Sequence, residues 1–220
     1  MKFEKLYNSK FYMFFECLYR LILVNLLFIL CSLLGLVVFS VVPAAIALVT
    51  VIKSYSSETA FPIGKTFWHI FKKHFKSNLV LSGLFFVLFL IFTFNAYFFF
   101  LAWQEYQALI NEIIMNLAFV LDGIIIVAFI NAIFIRVYFP NLNTKKTLKY
   151  AFVLLRALPL RFLAILGILV LMAVITYFFP YYLIFIGFSL LAFIVNALLK
   201  ANYMKLVADG VTPLLAQDYL

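Results

Sequence analysis

A single carboxylic acid, Asp122, interrupts the otherwise uncharged run 113–135. If that run crosses a bilayer, a charge at its centre costs about 2.5–3.5 kcal/mol. A position that keeps an acid there is a candidate for handling a proton or an ion. The competing reading is an acid close to the surface, hydrogen-bonded to an Asn or to water. Depth separates the two. A helix starting at Glu112 puts Asp122 about 15 Å down, and one starting at Leu117 puts it about half as deep. Asn25, Asn95, Asn116, Asn131 and Asn196 also fall within or near apolar runs. Such amides tie helices together at roughly 1 kcal/mol or less per contact. Alternatively, Asp122 with Asn25, Asn95, Asn131 and Asn196 forms a polar path along a bundle.

Other reactive residue types are sparse. His69 and His74 are five apart, whereas a helical metal pair needs a spacing of four and further ligands. Cys17 and Cys31 are too few for a zinc site or a disulfide framework. They read as buried thiols, with Cys17 also a weak palmitoylation candidate. No phosphate-binding glycine loop, no His-Glu-x-x-His and no nucleophile elbow occurs. Without a paired nucleophile and base, the chain reads as a non-enzyme without cofactor or metal.

Composition sets the frame for these residues. The 220 residues are 68% hydrophobic, 20% aromatic and only 11% charged. Soluble domains average about 45–50% apolar and about 25% charged, and disordered chains are poorer still in apolar residues. The expected fold class is therefore all-α, a polytopic transmembrane helical bundle forming one membrane domain over 1–220. Crossing an apolar core about 30 Å thick takes roughly 20 helical residues. The runs 21–52, 79–104 and 162–199 carry no charge, and the last is broken at Phe179-Pro180-Tyr181. None shows the strict alternation of a membrane barrel strand. No small-residue cleavage site follows a short apolar run, so the first apolar stretch is expected to stay in the mature protein.

Charge orients the bundle. The net charge is +9. Lys2, Lys5, Lys10 and Arg20 precede the first run, and Lys53, Lys65, Lys72, Lys73 and Lys76 fill the next polar segment. Arg136, Lys145, Lys146, Lys149, Arg156 and Arg161 form a third group, while the segment around Glu105 and Glu112 has no base. Basic residues near span ends stay cytoplasmic. Both termini and both lysine-rich segments are thus expected on the cytoplasmic side. The run between Arg20 and Lys53 must then cross twice or dip in and return. Gly35 and the stretch before Pro43 supply the break, with Pro43 suited to a first helical turn. Six membrane segments are expected, at 18–35, 41–55, 78–102, 113–137, 161–178 and 182–201. The first two form a short hairpin, and a re-entrant second segment is the alternative.

Two amphipathic elbows are expected on the basic side, at 64–76 and 145–157. In the first, Phe67, Trp68, Ile70, Phe71 and Phe75 share one face, and Lys65, His69, Lys72, Lys73 and Lys76 the other. That pattern suits a helix lying in the membrane interface or one packed on the bundle. Lys65, Trp68, Phe71, Lys72, Lys73, Phe75 and Lys76, with Lys145, Lys146 and Lys149 of the second elbow, are the interface candidates. Their partner is an anionic headgroup layer rather than nucleic acid, because the charge sits beside the spans. Lys65-Thr66-Phe67 parallels Lys146-Thr147-Leu148, and Phe71 parallels Phe152. This hints at a repeated unit of inward helix, elbow and outward helix.

Taken in order, the basic start, Leu23-Val24-Asn25-Leu26-Leu27, the Pro43-Ala44-Ala45-Ile46-Ala47-Leu48 helix and the basic-aromatic stretch 65–76 resemble the YesL family. These are bacterial integral membrane proteins, a domain-of-unknown-function family (DUF624). The resemblance covers most of the chain and is specific over about its first third. Val42 stands where the family usually has Gly before the proline, and Ala44-Ala45-Ile46 replaces its Thr-containing run. The resemblance implies a small inner-membrane protein often encoded beside carbohydrate ABC transporters, and it brings no catalytic residues. The function expected is therefore a non-enzymatic accessory or interaction protein of a membrane transport system, partnered by a transporter subunit or by itself. The alternative is a small transporter or channel using Asp122 and the Asn set.

Overall fold

The computed structural model describes residues 10–55 and 61–207. Lys2 and Lys5, both chain ends and part of the first lysine-rich loop lie outside the described residues. Among the described residues the fold is all helix. In chain order the elements are α1 (Lys10–Leu34), α2 (Val41–Ser54), α3 (Ile63–Tyr106), α4 (Leu109–Tyr138), α5 (Thr144–Ala157), α6 (Pro159–Phe178), a π turn (Leu183–Gly187) and α7 (Phe188–Val207). Five helices, α1, α3, α4, α6 and α7, are long and apolar enough to cross a membrane. The chain is a polytopic helical bundle of multi-pass membrane character.

The second expected segment, 41–55, differs from the rest. α2 has 14 residues, about 21 Å of helix, which is shorter than an apolar core of about 30 Å. Every α2 residue except Val41 is buried. The small side chains of Ala44, Ala45 and Ala47 let neighbouring helices approach it closely. Pro43 lies in its first turn, as expected, and the free N–H of Val42 donates to Ser82 Oγ of α3 at 3.2 Å. α2 is thus a short helix enclosed by the others. The turn leading into it is tight: Leu36 and Val37 both have left-handed backbone, at φ 58° and 63°.

A second difference concerns the first elbow, which is not a separate helix. Residues 64–76 and the following span form one 44-residue helix, α3. No Pro occurs between Lys76 and Leu79, and the change from basic to apolar side chains does not interrupt backbone hydrogen bonding. The second elbow, α5, is separate. The Asn143 side chain caps its start by accepting from Lys146 N at 2.9 Å. It ends at Leu158 because Pro159 lacks an N–H and disfavours helical backbone at the residue before it.

α3 and α4 pair as a long antiparallel hairpin, with Thr93 beside Asp122 and Phe85 against Phe129 at 5.2 Å between ring centroids. α1, α2, α4 and α7 enclose the apolar centre, where Phe28, Leu48, Phe134 and Ala192 border a cavity of about 90 Å³. α6 stands apart: Ile165 is its one buried residue.

Candidate functional site

The intramembrane polar residues are held by different elements and do not converge. Asn25 of α1 is fully buried. Its amide donates to the Leu183 and Ile184 carbonyls at 2.9 and 2.7 Å. Its oxygen accepts from Ser189 N at 2.9 Å. A π turn displaces backbone groups from the α-helical ladder, and such groups need partners where water is absent. Asn25 supplies them. Asn196 accepts from the Tyr138 hydroxyl at 3.1 Å. Asn95 is exposed and donates to the Ile91 carbonyl of its own helix at 2.7 Å. Asn131 is buried and lines a small crevice with Arg161.

Asp122 is 8% exposed. Its Oδ2 accepts from the Thr93 hydroxyl at 3.3 Å. Its Oδ1 has no hydrogen-bond partner among the described residues. With α4 beginning at Leu109, Glu112 lies about 15 Å towards one end and Arg136 about 21 Å towards the other. Among the described residues no hydrogen bond joins any two of Asp122, Asn25, Asn95, Asn131 and Asn196.

The basic residues do gather. Lys53 is buried at the end of α2, with Nζ 4.4 Å from the centre of the Tyr138 ring. Tyr138 stacks on Tyr203 at 4.9 Å. The Arg136 guanidinium, also buried, donates to the Leu142 carbonyl and to Thr144 Oγ1 at the start of α5. Arg161 donates to the Leu198 carbonyl at 3.0 Å. Arg20 pairs with Glu16 and lies over the Tyr55 ring. Lys53, Arg136 and Arg161 thus gather at one end of the bundle, while Glu105 and Glu112 lie at the α3–α4 joint. Burial pushes the Tyr55 phenol up, opposed by Arg20. Lys53 reads in the sequence as part of a polar loop. Its aromatic seat involves a partner 85 positions away (138 − 53), which no local pattern reveals.

The first elbow divides its aromatic side. Phe67, Ile70 and Phe71 are buried in the core, Phe75 is half-buried and Trp68 is 41% exposed. Lys65, Lys72, Lys73 and Lys76 are exposed, as are Lys145, Lys146 and Lys149 on α5. Lys72 Nζ lies 4.9 Å over the Trp68 ring. Leu34 and Gly35 of the α1–α2 turn meet this elbow in a groove of about 400 Å³. Among the described residues, no three His, Cys, Asp or Glu side chains come close enough to hold a metal ion.

Residues 21–96 match the model of a family described as "Protein of unknown function, DUF624". That stretch takes in Asn25, all of α2, the first elbow and much of α3. No curated protein and no solved structure matches the chain.

Proposed function

Taking residues 21–96 as a DUF624 region, we propose that the protein is a non-enzymatic accessory subunit of the bacterial cytoplasmic membrane. It binds a membrane transport system, with carbohydrate ABC transport the case that the family resemblance favours. The observation that carries this reading is the bareness of α6. Only 6% of its most apolar stretch is buried, the least of the five long helices, against 11% in α3 and 33% in α1, α4 and the stretch 183–201 that leads into α7. Helices in lipid associate through packing and hydrogen bonds rather than through hydrophobic burial. A helix with so few neighbours in its own chain is available to a helix of another. Asn25 and Asn196 meanwhile serve the scaffold, and the centre between α1, α2, α4 and α7 has an apolar lining.

A photo-crosslinker at Leu171, exposed on α6, tests this in intact cells. Crosslinking to an ABC permease subunit that also co-purifies in mild detergent supports the reading. Crosslinks to lipid alone, with the protein purifying by itself, overturn it.

The lysine-rich end and both termini face the cytoplasm in this proposal. Support comes from Lys53, Arg136 and Arg161 sharing one end of the bundle, since translocation leaves basic residues inside. Cysteines placed at Lys73 and Lys146 should resist a membrane-impermeant label in intact cells. Labelling of either reverses the orientation.

One observation favours a small transporter as the second reading: Asp122 presents a buried oxygen without a partner among the described residues. Purified protein in liposomes would then move a solute, and Asp122→Asn would fold normally but abolish the flux. Under the accessory reading, Asp122→Asn keeps its partner and wild type moves nothing.

A further inference from the structure

We infer that the groove between the α1–α2 turn and the first elbow is a binding site for one phospholipid with an anionic headgroup. This concerns a different surface from the α6 contact and does not depend on a protein partner. Its floor is apolar, formed by Leu34 and Gly35 from the turn and by Phe71 and Phe75 from α3. Lys72, Lys73 and Lys76 line the same groove and are exposed. Trp68 completes it, with the Lys72 ammonium above its ring.

Two further features point to a lipid rather than to a soluble anion. The turn beside the groove carries Leu33, Leu34 and Leu36 at 61, 69 and 77% exposure. Side chains this apolar and this uncovered belong in an acyl layer. Lysines next to them sit at the depth of the phosphates, where long basic side chains and Trp concentrate. Gly35 also lets the turn close tightly on Ser40 and Phe75 beside the groove. A Cβ there would come within 2.5 Å of Ser40 Cβ and 3.3 Å of the Phe75 ring. One ligand therefore meets an apolar floor and a cationic rim together, which matches an acyl chain joined to an anionic headgroup.

The test uses the full chain carrying Trp103→Phe, leaving Trp68 as the single tryptophan. The protein is placed in phosphatidylcholine nanodiscs containing a small fraction of phosphatidylglycerol with brominated acyl chains. Bromine quenches tryptophan on contact. Brominated phosphatidylglycerol should quench Trp68 several-fold more than brominated phosphatidylcholine at the same fraction. Each Lys→Gln change at positions 72, 73 and 76 should weaken that preference roughly fivefold. The triple change Lys145→Gln, Lys146→Gln and Lys149→Gln on α5 should leave it intact. Equal quenching by the two lipids overturns the proposal. So does an equal loss from the α5 changes, which would indicate general surface charge. Relief of quenching by millimolar inorganic phosphate, with the fold retained by thermal unfolding, would instead assign the lysines to a soluble anion and also overturn it.

Discussion

The Asn25 side-chain oxygen on α1 accepts the backbone N–H of Ser189 on α7 at 2.9 Å, across 164 positions of sequence. With its two donated bonds to the Leu183 and Ile184 carbonyls, this one amide fastens the first helix to the start of the last. Replacing it by Leu removes three bonds and leaves backbone groups of the π turn without partners in an apolar setting. Asn25→Leu should lower stability by about 1–3 kcal/mol, read as a lower thermal unfolding midpoint in detergent. An unchanged midpoint would mean that the turn holds itself.

Val37 has a left-handed backbone at φ 63°, where a β-branched side chain is strained. The cost is about 1–2 kcal/mol per residue for a side chain in that region, and glycine avoids it. Val37→Gly should therefore raise the unfolding midpoint, whereas Val37→Ala should not. A loss of stability in the glycine variant would argue against this turn geometry.

Tyr138 combines three contacts: the Lys53 ammonium over its face, the Tyr203 ring stacked on it, and Asn196 accepting from its hydroxyl. Tyr138→Phe removes only the hydroxyl and should cost about 1 kcal/mol. Tyr138→Leu also removes the stacking and the cation–π contact, adding roughly 1–3 kcal/mol more. The ordering wild type, Phe, Leu in chemical denaturation checks this. Equal loss in both variants would reduce the site to its hydroxyl alone.

Alkaline pH should loosen the basic end. Burial raises the Tyr55 phenol above its ordinary value of 10.0, so the folded state holds its proton longer than the unfolded chain does. The contribution is whole below pH 10.0 and is lost as the pH climbs above that value. Melting midpoints measured upward from neutral pH should fall beyond it, and Tyr55→Phe should flatten that fall. A slope identical in wild type and variant would remove Tyr55 from the account.

The sequence discloses the long spans because an apolar run of membrane length has few soluble alternatives. It also discloses α5, expected at 145–157 from its lysines and its likeness to the first elbow and found at Thr144–Ala157. It does not disclose the continuity of α3. A shift from lysines to apolar residues marks a change of surroundings, and a helix can pass through such a change unbroken. The enclosure of α2 is likewise hidden. Its run 41–54 is as apolar as a lipid-facing helix, and only its 14-residue length distinguishes it. The polar residues are legible by type but not by partner. Asn25 and a residue on a supposed polar path look alike until the π turn at Leu183–Gly187 is placed against α1.

The 44 residues of α3 run for about 66 Å, more than twice the depth of an apolar layer about 30 Å thick. A rod of that length works as a lever. Whatever tilts Lys65 or Trp68 at one rim must swing Tyr106 and the Gln107–Ala108 joint at the other. The Leu158–Pro159 break denies α5 the same leverage over α6. The two lysine-rich elbows therefore differ in connection: the first is continuous with the long helix that follows it, and the second is separated from its helix by a break.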